Sequence, residues 1–119
     1  MSEYKFNFGD GVCCISFNDQ YSLGSFIIRT YYNGRFGLAI VNPSTYKDLN
    51  SFKAISLGSL YVDIYSKTES NSVFLKPLSN TNGRISIQFI TPAEGDISIS
   101  PIPDFTESEY NKITPQSLG

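Results

Sequence analysis

Apolar and polar positions alternate strictly along several short stretches of this chain. In RISIQFI, Ile85, Ile87 and Phe89 fall on one side and Ser86 and Gln88 on the other. In DISISPI, Ile97 and Ile99 alternate with Ser98 and Ser100. A side-chain period of two marks a strand with one dry and one wet face. The intervening TPAEGD places Pro and Gly for a turn, so the two segments are expected to pair as a β-hairpin. Upstream, SFIIRTYY and RFGLAIV flank Asn33-Gly34, the strongest short hairpin-turn signal. YKFNF puts Phe6 and Phe8 on one side, and SLYVDIYSK alternates Leu60, Val62 and Ile64 with Tyr61, Asp63 and Tyr65. SVFLKPL reads as a further strand whose Pro77 predicts an edge position or a bulge. In all, about eight strands are expected, at the spacing of a sandwich or barrel.

Helix signals are short. NPSTYKDLNSF offers Thr45 and Asp48 to cap one turn, and DFTESEYNKI sets Thr106 three residues before Glu109 as a capping box. From Pro101 the alternation stops, and Pro101, Pro103 and Pro115 punctuate a polar tail. Residues 1–103 are therefore expected to form one β-sandwich domain, and residues 104–119 a C-terminal arm. The arm keeps Phe105, Tyr110 and Ile113 among polar residues, which suits an extended segment docking on a neighbouring subunit.

Composition narrows the chemistry. At 119 residues the chain can bury a core without cross-links. Charged residues are only 17%, so Ser, Thr, Asn and Gln must supply most of the polar surface. The net charge of −2, with Lys and Arg scattered, gives no footprint for nucleic acid. No apolar run approaches the roughly 20 residues of a spanning helix, and the N-terminal residues lack the pattern of a secretory signal. The chain has no His, which removes the commonest general base, the Ser-His and Cys-His pairs and every imidazole ligand.

Two adjacent cysteines, in GDGVCCISFND, are the remaining candidate chemistry. Neighbours in a strand point to opposite faces, so Cys13 aligns with Ile15 and Phe17, and Cys14 with Val12 and Ser16. A disulfide between them is strained, a metal site lacks further soft ligands, and a catalytic thiol lacks a base. Cys13 is expected in the core and Cys14 half-covered. Asp10, Asn18, Asp19, Asp96 and Asp104 fall at strand ends, where such residues ordinarily serve turns; no ordered calcium loop is present, and no metal or other cofactor is expected. Asp63, Glu69, Glu94, Asp96, Glu107 and Glu109 are the carboxylates a small hydrolase would use, and their spacing selects no pair.

The order YSLGSFIIRTYYNGRFGLAIVN, LGSLYVDIYSKTESNSVFLKPLS, GRISIQFITPAEGDISISPI resembles the jelly-roll, galactose-binding-like modules found among carbohydrate-binding modules and phage virion proteins. The resemblance lies in the strand pattern of residues 21 to 103. It implies an all-β, antiparallel β-sandwich of jelly-roll type. The resulting expectation is a non-enzymatic virion component, a capsid-decoration or tail-associated module located in the virion. Its partners would be other virion subunits or further copies of itself, with no nucleic acid and no membrane. The alternative is a carbohydrate-binding module. Alternation turns Arg29, Tyr31, Tyr61, Asp63 and Tyr65 outward, where Tyr rings stack on sugars and the charged groups bond hydroxyls. Against that platform stands a two-sided sheet whose second face is covered by a loop or by the C-terminal tail.

Overall fold

The computed structural model describes residues 3–17, 24–43, 52–67, 70–80, 82–90 and 97–118. They form a β-sandwich of two sheets. The strands are β1 (Glu3–Asn7), β2 (Val12–Phe17), β3 (Phe26–Tyr32), β4 (Arg35–Pro43), β5 (Phe52–Leu57), β6 (Val62–Ser66), β7 (Ser72–Pro77), β8 (Gly83–Phe89), β9 (Ile97–Ile102), β10 (Asn111–Ile113) and β11 (Gln116–Ser117). Single 3₁₀ turns span Phe8–Asp10 and Glu107–Glu109. One sheet runs β1-β8-β3-β4-β5-β11 and the other β10-β6-β7-β2-β9. Every pairing is antiparallel except that of β11 with β5.

The alternation read from the sequence is what builds the core. Phe26 and Ile28 of β3, Ile85 and Ile87 of β8, Ile15 of β2 and Leu75 of β7 are each 1% exposed or less. Phe17 knits the two sheets, its ring meeting Phe26 and Phe52 at 6.4 Å and Phe89 at 5.9 Å. Asn33 and Gly34 both take positive φ, 49° and 79°, and so form the mirror-image turn whose twist matches a hairpin. The register runs from Phe26 opposite Val41 to Tyr32 opposite Arg35.

Cys13 is buried and Cys14 half-buried on opposite faces of β2, and both are free thiols. Burial, with a smaller push from Cys14, raises the Cys13 thiol to about 12. Cys14 is also raised by burial, partly offset by hydrogen bonding to Ser16 and Ser72.

Four expectations are corrected. β8 and β9 do not pair: β8 lies between β1 and β3, and β9 pairs with β2 in the facing sheet. Alternation selects the side that faces a core, and two sheets that share one core satisfy it equally. The connecting residues 91–96 lie outside the described residues. Pro77 does not mark an edge, because β7 is central between β6 and β2. It closes the strand beyond the last β2 pair, Cys13 with Leu75, where its missing N–H breaks no pairing with β2. The short helical turn expected around Thr106 is present as one 3₁₀ turn, but the expected capping box is not, because the Thr106 side chain makes no cap. The helix expected near Thr45 falls outside the described residues. Finally, residues 104–118 add β10 beside β6 and β11 beside β5, so the segment expected to leave at residue 103 is carried on both sheets.

Candidate functional site

The sandwich has two outer faces, and they differ. On the five-stranded sheet, Tyr65 of β6 lies opposite Phe74 of β7. Phe105 covers this pair, 5.0 Å from Tyr65 and 6.3 Å from Phe74, and Tyr110 meets Phe74 at 4.6 Å. Lys67 stands 5.4 Å over the Tyr110 ring. Glu107 accepts hydrogen bonds from Lys76 and, at 3.3 Å, from the Tyr65 hydroxyl. The Lys76 contact is the main reason the Glu107 carboxyl titrates below its ordinary range. Tyr65 is pushed up, first by burial and then by the charges of Asp63 and Glu107. Asp63 pairs with Lys112 at 3.4 Å. Tyr65 and Asp63, expected as ligand residues, are therefore engaged within the fold. Phe105 and Tyr110, expected on a neighbour, lie on their own domain, and Ile113 sits opposite Ile64 in β10 and packs against the core.

Tyr61 is separate again. It precedes β6 with φ +60°, its ring lies 5.1 Å from Tyr32, and its hydroxyl accepts from Arg35 at 3.4 Å. The five residues expected to share one platform are thus divided between the faces and one end of the sandwich.

Arg29 and Tyr31 do sit together, on the outer face of the six-stranded sheet. Strand register sets rows across this face. One row runs Lys5, Ser86, Arg29, Leu38, Leu57; the next runs Asn7, Arg84, Tyr31, Phe36. Ile27, Ile40 and Ile55 form a third. Along the first two rows the cations Lys5, Arg84 and Arg29 come from β1, β8 and β3, and the apolar Phe36, Leu38 and Leu57 from β4 and β5. Phe36 is 76% exposed and Leu57 54%. The strands of this sheet carry Lys5, Arg29, Arg35, Lys53 and Arg84 against the single acid Glu3, although the whole chain is net negative.

Glu3 accepts from the Ser86 hydroxyl at 2.8 Å and lies 3.5 Å from Lys5 and 3.9 Å from Arg29. The Ser86 hydrogen bond is the largest cause of its lowered pKa, with the two cations adding to it. Arg84 stands 4.8 Å over the Tyr31 ring, and that ring meets Phe36 at 5.2 Å. Two adjoining hollows open here. One of about 400 Å³ is lined by Lys5, Arg29, Tyr31, Phe36, Arg84 and Ser86 among others. The second, about 500 Å³, is lined by Asn7, Tyr31, Asn33, Asn82 and Arg84 among others. Asn7, Tyr31 and Arg84 belong to both. Sequence reasoning missed Lys5, Asn7, Phe36, Asn82 and Arg84. The available signal was the wet side of RISIQFI, which begins with Arg84.

A larger hollow, about 630 Å³, lies where the chain crosses from β10 to β11, lined by Phe52, Ile55, Ile113 and Gln116 among others. It adjoins the ends of the β4–β5 connection, residues 44–51, which fall outside the described residues. Among the described residues no group of three or more His, Cys, Asp or Glu is placed to hold a metal ion, and no helix is long and apolar enough to cross a membrane.

Comparison with protein-family models, with curated proteins and with solved structures finds no match.

Proposed function

We propose that this chain is a non-enzymatic assembly module of jelly-roll type, a subunit of a larger particle such as a phage virion. It docks on a neighbouring subunit through the apolar half of its six-stranded face. The observation that carries this reading is the unequal treatment of the two faces. The chain's own Phe105 and Tyr110 cover the five-stranded face, while Phe36 and Leu57 stay exposed on the other. Large exposed apolar groups in one patch mark interaction surfaces. Jelly-roll wrapping is supported by nested pairing, β1 with β8 and β2 with β7.

The test is substitution of Leu57 and Ile55 by Ser. Both side chains point away from the core, so the melting temperature should hold within a few degrees. Co-sedimentation with the particle, or self-association measured by analytical ultracentrifugation, should be lost. Unchanged association would overturn the reading.

A further inference from the structure

The cationic half of the same face has a different character from the apolar half. We propose that it is a binding site for an acidic saccharide, one bearing a carboxylate on a pyranose ring. This inference rests on the reading of the chain as a binding module and adds a ligand to it.

Arg84 is the centre of the argument. Its guanidinium is held over the Tyr31 ring at 4.8 Å. A guanidinium stacked on a ring keeps its N–H edges free and pre-oriented, the fork that takes a carboxylate through two parallel hydrogen bonds. Among the described residues no carboxylate is paired with Arg84. Two residues away, the face already shows what it does with a carboxylate. Glu3 lies against Lys5, Arg29 and the Ser86 hydroxyl, and its pKa is lowered there. The surface thus favours a carboxylate, and Arg84 is the cation that Glu3 leaves open.

The rest of the hollow suits a sugar better than other anions. Asn7, Asn33 and Asn82 rim the part shared with Arg84 and Tyr31. Amides both donate and accept, as a row of sugar hydroxyls requires. The Tyr31 ring carries Arg84, and Phe36, 5.2 Å from Tyr31 and 76% exposed, supplies open ring surface for the C–H face of a pyranose. A nucleic acid needs a run of cations matched to successive phosphates. Here two of the three cations in the hollow are already shared with Glu3. The hollows, about 400 and 500 Å³, are of a size to take one or two sugar rings.

The experiment is titration calorimetry on the full chain with four probes: sialyllactose, a galacturonate oligomer, neutral lactose and a sulfated galactan oligosaccharide that contains no uronic acid. A carboxylated probe should bind at least about tenfold more tightly than lactose. Arg84→Gln should weaken it by about tenfold or more with an unchanged melting temperature. Tyr31→Ala should weaken it and Tyr31→Phe should not. Leu57→Ser should leave it unchanged. Three results would overturn the proposal: no binding of either carboxylated probe at millimolar concentration, equal binding of lactose, or preference for the sulfated probe that survives Tyr31→Ala. Subunit docking is read separately through Leu57→Ser and Ile55→Ser, and Phe36, which lies in both the docking patch and the hollow, is left unsubstituted in both tests.

Discussion

The rings of Phe105 and Tyr110 stack on each other, 4.3 Å apart at an interplanar angle of 20°, and together close over the outer face of the five-stranded sheet. Each ring is only half-buried, so each contributes less than a core aromatic. Phe105→Ala should cost roughly 1–2 kcal/mol, below the 3–5 typical of a fully buried Phe. Removing residues 104–118 would also expose Tyr65 and Phe74 and delete two strands. Thermal unfolding should show a larger loss for the truncation than for Phe105→Ala. Equal melting temperatures for truncated and full chains would refute the covering role.

The same segment should give the protein a pH dependence at both ends. The Glu107 carboxyl has a folded pKa below its ordinary value of 4.5, chiefly through Lys76. Its contribution to stability is full above 4.5 and is lost as pH falls through the lowered folded value. Tyr65 has a folded pKa above its ordinary 10.0, so its contribution is full below 10 and is lost as pH rises through the raised value. Urea midpoints measured across pH should show Glu107→Gln with a shallower acid limb, the share of Glu3 remaining. Tyr65→Phe should show a shallower alkaline limb.

Cys13 has its thiol raised to about 12 and its side chain in the core. A thiol reagent at pH 8 should label at most one sulfur of the folded protein, that of Cys14, and both in urea. Cys13→Ser buries a hydroxyl where a small apolar group sits, and should cost on the order of 1–3 kcal/mol by chemical denaturation. Cys14→Ser should be nearly neutral.

Thr30 is 2% exposed, and its hydroxyl has no hydrogen-bond partner among the described residues. An unsatisfied buried hydroxyl destabilises, and Val is close to Thr in shape. Thr30→Val should raise stability by about 1 kcal/mol, read as a higher urea midpoint with an unchanged slope. A fall would show that the hydroxyl is satisfied in solution.

Gly83 is required by a neighbour. A Cβ at this position would collide with the ring of Phe8, which is itself 1% exposed and stacks 5.7 Å from Tyr32. Gly83→Ala must displace that ring, and should cost roughly 1–3 kcal/mol as an overpacked core does. The double variant Gly83→Ala, Phe8→Leu should recover part of the loss, which a double-mutant cycle would measure.

Strand identity was legible where a strand alternates over several residues, and β5, β10 and β11, which do not announce themselves in this way, were not read. Phe26, Ile28, Ile85 and Ile87 are buried as their alternation requires, and Asn33-Gly34 turns where its chemistry says. Partner choice is not local. Ile97 and Ile99 read just like Ile85 and Ile87, yet they belong to the facing sheet. The candidate site suffered from the same gap. Arg29 and Tyr31 were recognisable as outward-facing, but Arg84 and Lys5 join them only through the pairing of β8 with β3 and β1. Tyr65 was also correctly placed on an outer face. What covers it, Phe105, lies 40 residues along the chain in a stretch with no period to betray it.

The crossing from β10 to β11 also has a mechanical meaning. Load arriving beyond residue 118 meets two residues of β11 first and three residues of β10 next, each at a sheet edge. Both would peel before any central strand is strained. The event would bare the edges of β6 and β5 while leaving Phe105 over Tyr65 and β1, β8, β3 and β4 paired. A particle tethered through this segment would therefore have a weak link that yields early and leaves most of the sandwich intact.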